Sequence, residues 1–209
     1  MASALMLGLL VGFPIAAAPG PMFFLILRRT LARGWRSGLV SGLGIATGDA
    51  IYASIAAFGV VTVLNLLIGQ RRWIGLVGGL AILLIGVRAI VVSAPPPRPS
   101  PGTGEGRATG AEGVKDYAST LGLTLSNPPT ILSFLAVFAG LGVHVGSGWQ
   151  PAVALVLGVT FGSALWWVLL TTLISLVRQR ISPTVTRAIS VTSGLALIIF
   201  GLLITLQAL

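Results

Sequence analysis

The sequence predicts an all-α integral membrane protein with six transmembrane helices, built as two inverted three-helix repeats in which helices 1 and 4 are broken. Three observations lead there. Of the 209 residues, 55% are apolar and only 8% charged, with a mean hydropathy of +1.01, which is not the composition of a water-covered surface. Apolar runs long enough to cross ~30 Å of hydrocarbon recur along nearly the whole chain. Short motifs in the first half reappear, in the same order, in the second.

Apolar runs between charges place helices over Leu5 to Leu27, Gly38 to Leu67, Trp73 to Val92, Tyr117 to Val143, Pro151 to Val177 and Ala188 to Leu206. Residues 94–116 are rich in Pro and Gly and carry Ser100, Glu105, Glu112 and Asp116. Such a stretch buries too little apolar surface to order itself and reads as a flexible cytoplasmic linker. It divides one membrane domain into a first repeat, 1–93, and a second, 117–209. Leu5 to Ala18 has the look of a signal-peptide core, but no Lys or Arg precedes it and Pro14 interrupts it, so it is read as part of the first span.

The formal charge is +9, from 13 basic and 4 acidic residues. In a soluble chain that excess would suggest nucleic acid; here the basic residues lie between apolar segments, and topology accounts for them. Arg28, Arg29, Arg33, Arg36, Arg88, Arg98, Arg107, Lys115, Arg178, Arg180 and Arg187 fall on one side, and only Arg71 and Arg72 on the other. The positive-inside rule makes the first side cytoplasmic, in the inner membrane, with both termini outside. The absence of cysteine excludes disulfides, thiolate metal sites and thiol-redox chemistry.

Between the halves, Pro19-Gly20-Pro21 answers to Asn127-Pro128-Pro129, Gly48-Asp49 to Gly162-Ser163, and Gly79-Leu80-Ala81 to Gly194-Leu195-Ala196. Three helices is an odd number, so the second half must begin from the opposite face, which makes the repeat inverted. Proline inside a helix frees the carbonyl four residues earlier: those of Ile15 and Ala17 in the first half, of Thr124 and Leu125 in the second. Hydrocarbon cannot satisfy them. Interrupted segments at matching places in two halves therefore point to a binding site, the alternative being a plain kink.

Asp49 is the one acidic residue inside a predicted span. A charge at helix centre costs roughly 2.5 to 3.5 kcal/mol even on lenient insertion scales, so it reads as functional. At about 100° per residue, Gly38, Gly42, Ala46, Ala53 and Ala56 lie within about 60° of it, while Val40, Ile51, Ile55 and Phe58 lie opposite. The carboxylate thus faces a small-residue stripe, in a setting suited to reversible proton binding. The structural alternative is an ion pair with Arg28 or Arg88. The corresponding face of the second half carries Thr160, Ser163 and Trp167. The expected site gathers Asp49, Gly48 and Tyr52 with Pro19, Gly20, Pro21, Asn127, Pro128, Pro129, Ser163 and Trp167. A zwitterion suits it: its ammonium meets Asp49 and freed carbonyls, its carboxylate the N–H groups where helices restart after Pro21 and Pro129. Gly8-xxx-Gly12, Gly44-xxx-Gly48, Gly75-xxx-Gly79 and Gly158-xxx-Gly162 permit close helix approach in a bundle or a homodimer. His144 reads as a solvated loop residue; Trp73, Trp149 and Tyr117 read as interfacial anchors.

The stretch Gly12 to Gly59, with Ala18-Pro19-Gly20-Pro21, Gly34-Trp35-Arg36-Ser37-Gly38 and Gly44-Ile45-Ala46-Thr47-Gly48-Asp49, resembles the LysE/RhtB family of amino-acid exporters, and Asn127-Pro128-Pro129 followed by Ile131 to Leu141 extends the likeness over nearly the whole chain. The resemblance implies a six-helix efflux carrier driven by proton exchange and often dimeric. Pro129 stands where many similar sequences carry Lys, and Leu132-Ser133-Phe134-Leu135 where they are richer in Phe. With one intramembrane carboxylate, a small neutral amino acid or derivative fits better than a cationic one. An ion or metal permease would need clustered oxygen or imidazole ligands, and an enzyme a catalytic constellation that one Asp and a loop His do not make, so neither enzymatic activity nor a cofactor is expected. A lipid- or glycolipid-handling protein remains the other reading.

Overall fold

The computed structural model describes residues 1–58, 69–91, 110–127, 129–131, 133–134, 149–178 and 182–209. Within them are seven helices and no strand: α1 (Ala2–Ala17), α2 (Pro21–Arg33), α3 (Trp35–Ala57), α4 (Arg71–Val91), α5 (Gly110–Leu125), α6 (Trp149–Arg178) and α7 (Pro183–Ala208). Four stretches are long and apolar enough to cross a membrane: Trp35–Ala57, Arg72–Val91, Trp149–Arg178 and Thr184–Ala208. Helices α1 and α2 make a fifth if the pair, bent by 74°, counts as one span. Pro128, Leu132, Leu135, His144, Arg98, Glu105, Arg107, Arg180 and most of the expected linker lie outside the described residues, as does the far half of the expected fourth span.

Local chemistry explains the junctions. Helix α2 starts at a pre-shaped Pro21 in its first turn, after an extended Gly20. It ends at Gly34, whose φ of 92° is the left-handed setting that glycine supplies without a Cβ clash, and α3 begins at the next residue. Helix α7 is capped by Ser182, whose hydroxyl accepts from Val185 N at 3.3 Å.

Helix packing is by small residues. Where α1 runs parallel to α6, Gly8 and Gly12 lie on the backbone of Leu155, Gly158 and Val159, and Gly162 on Leu9 and Phe13. Where α3 runs parallel to α5, Gly44 and Gly48 meet Tyr117, Thr120, Leu121 and Thr124. Antiparallel α4 and α7 are joined reciprocally: Gly79 faces Gly201, and Gly86 faces Gly194. Between α3 and α6, also antiparallel, Gly38 meets Thr171 and Gly42 meets Trp167. Backbone-to-backbone approach of this kind substitutes for a hydrophobic driving force where the solvent is itself apolar.

The outward surfaces agree. Val77, Leu80 and Leu84 on α4, Phe161, Leu165 and Leu173 on α6, and Ile199, Leu202 and Leu206 on α7 are exposed, a continuous apolar cover that fits lipid and would not fit water. Trp73 and Trp149 sit exposed near helix starts, as interfacial anchors do. Tyr117 departs from that expectation. It lies within α5, half-buried, and its hydroxyl donates to Thr47 Oγ1 at 2.8 Å. Helix α5 also begins at Gly110, ahead of the expected Tyr117, so Asp116 is helical and buried instead of belonging to the linker.

A methyl group on Gly201 would meet only backbone, Leu83 N at 2.6 Å and Gly79 O at 2.8 Å, whereas Gly122 has open space. Gly201→Val should therefore destabilise the protein by about 1–3 kcal/mol while Gly122→Ala leaves it unchanged or slightly firmer, as read by thermal unfolding in detergent.

Candidate functional site

The first break lies between Ala17 and Pro21. Ala18 is extended, and its N–H bonds back to Pro14 O at 3.1 Å and Ile15 O at 3.4 Å, so the Ile15 carbonyl finds a partner locally. Pro19 is exposed, Gly20 half-buried and Pro21 buried.

In the second break α5 ends at Leu125, and Asn127 opens a new helical turn by accepting from Thr130 N at 3.0 Å and Ile131 N at 3.3 Å. The carbonyl of Thr124 takes Asn127 N at 3.1 Å. The carbonyl of Leu125, freed by Pro129 four residues on, is captured from another helix: Tyr52 Oη donates to it at 2.8 Å. Tyr52 thereby ties α3 to the break, its ring 6.0 Å from that of Phe134. Pro129 itself is exposed.

One turn before Tyr52 stands Asp49, 2% exposed. Of the small-residue stripe, Gly38, Gly42, Ala46 and Ala53 are buried and Ala56 is half-buried; on the opposite face Ile51 and Phe58 are exposed, while Val40 and Ile55 are half-buried, Ile55 packing against the cluster around Tyr52 and Phe134. Among the described residues no arginine pairs with Asp49. Ser163 Oγ donates to Asp49 Oδ2 at 2.7 Å, bridging α3 and α6. A carboxylate held by a neutral hydroxyl keeps its charge uncompensated, unlike one locked into an ion pair, and so remains available to a proton or a cation.

Two more side chains expected in the site are buried with a polar end open. Trp167, one turn from Ser163 on the same face of α6, is 2% exposed and its indole N–H has no partner among the described residues. Asn127 is 4% exposed; one end of its carboxamide holds Thr130 Oγ1 at 2.8 Å and the other is unpartnered. Such groups are rare in protein interiors because each forfeits its bond to water. Asp49, Ser163, Tyr52 and the Leu125 carbonyl are thus linked through α3, with Gly48 against Thr124 and Trp167 against Gly42 on either side. No described contact joins Pro19, Gly20 or Pro21 to Asp49; the first break approaches through Ala16 and Met22, which share an apolar cluster with Ala46 and Trp167.

A second polar cluster, not foreseen from sequence, lies toward the arginine-rich end. Asp116, 4% exposed, accepts from Ser37 Oγ at 2.6 Å and pairs with Arg33 at 2.7 Å and Arg29 at 3.7 Å. Arg29 also donates to Ser41 Oγ at 2.8 Å, Ser119 Oγ at 2.8 Å and Asp116 O at 3.0 Å. The cluster joins α2, α3 and α5.

A bent half-helix pair, small-residue seams and a buried carboxylate between helices define a membrane transport protein in kind. The family model for LysE type translocators matches residues 13–208, and the chain belongs to that family. It is 28% identical to an uncharacterized membrane protein, YahN, of Escherichia coli, over 91% of this chain and 81% of the relative. It is 27% identical to the chemotactic transduction protein ChpE of Pseudomonas aeruginosa, over 83% of each. It is 27% identical to a leucine efflux protein of Salmonella choleraesuis, over 59% of this chain and 56% of that one. No solved structure matches the chain.

Tyr52→Phe preserves the ring and strands the Leu125 carbonyl. It should lower stability by about 1–3 kcal/mol, seen as an earlier thermal transition, while Tyr117→Phe, which loses only a bond to the Thr47 hydroxyl, should cost less than half as much.

Proposed function

We propose that the protein is a secondary active exporter of small neutral amino acids across the cytoplasmic membrane, with Asp49 carrying the exchanged proton. The observation that carries this reading is Asp49 itself: buried, on a small-residue stripe, and met by the Ser163 hydroxyl at 2.7 Å instead of a cation. A carboxylate so placed can bind a proton or a substrate ammonium but not both, and mutual exclusion at one site is what exchange requires. The open carboxamide of Asn127 offers an acceptor for the same ammonium. The free indole N–H of Trp167, with the first turn of α2 after Pro21, offers donors for a carboxylate. With one carboxylate in the site, a further cationic group on the substrate would lack its own partner. The leucine efflux relative agrees with a neutral substrate.

The accompanying architecture is six spans in two inverted repeats, with α5 opening the broken fourth span and both termini outside. Several contacts support it. The pairing of Gly79 with Gly201 and of Gly86 with Gly194 exchanges into itself when the halves are interchanged. The α1/α6 seam has its counterpart in α5/α3, both parallel, with Gly158 and Gly162 answering to Gly44 and Gly48. Asp49 and Ser163 hold corresponding positions and touch, as residues beside a two-fold axis do.

The test is export from cells that overexpress the chain and are fed dipeptides, with external amino acids followed by mass spectrometry. Wild type should raise at least one neutral amino acid outside, and Asp49→Asn should abolish both that rise and its dependence on external pH. Ser163→Ala should reduce activity by about ten- to a hundredfold, the ~1.5–3 kcal/mol worth of one hydrogen bond to a charged group. Full pH-dependent export by Asp49→Asn would remove the proton role; no external change with wild type would sink the exporter reading.

A further inference from the structure

We propose that the cluster of Arg29, Arg33 and Asp116 is a latch across the cytoplasmic access route to Asp49, and that the structure is the state closed to the cytoplasm. The proposal rests on the orientation and the exporter reading given above.

Helix α2 has a joint at each end. One is the 74° bend that separates it from α1; the other is the lone left-handed Gly34 before α3. Between these joints it packs on α3, α6 and α7 and only sparsely on α5. What ties it to α5 is side chains reaching across: Arg33 to Asp116 at 2.7 Å, and Arg29 to Asp116 O and Ser119 Oγ at 3.0 and 2.8 Å. A seam of interlocked apolar side chains opens only by exposing all of them to water. A seam bridged by ion pairs near water exchanges those partners for water at small net cost, and Arg33, its side chain 46% exposed, already stands at the solvent edge.

Immediately behind the seam the lining is polar, ahead of the apolar cluster that holds Ala46. Ser37 and Ser41 of α3 and Thr120 of α5 are buried there, Thr120 Oγ1 donating to Ser41 O at 2.8 Å. Ser41 is two turns from Asp49 along α3, about 12 Å at ~1.5 Å per residue, with buried Ala46 between them. Hydroxyls and ions in a membrane helix seam are expensive for a purely structural joint and are what a route for a zwitterion needs. When α2 swings on its two joints, Asp116 parts from both arginines and this route opens to the cytoplasm.

The chain contains no cysteine, so Ala46→Cys gives a single thiol behind the latch. Its labelling by a membrane-impermeant charged methanethiosulfonate is followed in inverted vesicles, which present the cytoplasmic face, and in whole cells, which present the outer face. Adding Asp116→Ala should speed labelling from the cytoplasmic face by about tenfold, as expected when a few-per-cent open population becomes a substantial one, and leave the outer rate unchanged. Asp116→Glu, which keeps the charge, should stay slow. Arg33→Ala, which removes one arm at the solvent edge, should give a smaller acceleration and serves if Asp116→Ala does not elute as a single folded species. Unchanged cytoplasmic labelling in these variants when folded overturns the latch, and so does acceleration from the outer face. Labelling requires no substrate, so the latch stands or falls independently of whether amino acids are exported.

Discussion

A polar group placed in hydrocarbon must be satisfied by the protein itself, and most of this structure follows from that demand. Helices meet it for most backbone groups. Where proline removes a bond, the structure supplies a replacement for two of the freed carbonyls: Ala18 N for that of Ile15, Tyr52 Oη for that of Leu125. Hydroxyls on helices turn back onto their own main chain, Thr30 to Ile26, Thr124 to Thr120 and Thr171 to Trp167 among them. Against that thoroughness, four buried side chains keep a polar end without a partner among the described residues, Asn127, Trp166, Trp167 and Ser193, and Asn127 and Trp167 are the two that the sequence places with the Asp49 carboxylate, itself held by one hydroxyl.

The same solvent explains the use of glycine. Without water to expel, helices gain little from burying leucine against leucine, and contact must come from close approach. Gly8, Gly158, Gly79 and Gly201 bring backbones together over long stretches. These seams also set the height of the site. Gly42 beside Trp167 and Gly48 beside Thr124 hold α3 against α6 and α5, and set Asp49, the residue after Gly48, at the level where α6 presents Ser163. Positioning of the polar groups is thus a by-product of where side chains are missing.

Much of this was legible in the sequence, because apolar runs, proline breaks and a helical face are local patterns. The spans of α3, α4, α6 and α7, the elbow at Pro19 to Pro21, the restart after Asn127 and the small-residue face of Asp49 all follow from spacing and residue type. Asp116 did not. Its neighbours Glu112, Lys115 and the preceding Pro, Gly and Ser make a solvated linker by composition, and only arginines more than 80 positions away, on α2, make it a buried one. Tyr117 was misread for the same reason: a tyrosine at the edge of an apolar run looks like an anchor until Thr47 is brought to its hydroxyl. Asp49 and Ser163 could be matched as equivalents from sequence, but that they touch is a property of the three-dimensional arrangement. Arg28 and Arg88, considered as partners of Asp49, do not pair with it among the described residues; the buried aspartate that does pair with arginines is Asp116, with Arg29 and Arg33.

The elbow between α1 and α2 has a geometric consequence for the bilayer. A straight helix from Ala2 to Arg33 would be about 48 Å long at ~1.5 Å per residue, far more than the ~30 Å of hydrocarbon available. With the 74° bend shared equally, each arm leans about 37° and together they cover about 35 Å of depth. Surplus length is converted into breadth. Phe13, four residues before the elbow, meets Trp166 of α6 edge-on at 5.5 Å. Counted as one span, the bent pair fits the bilayer without thickening it.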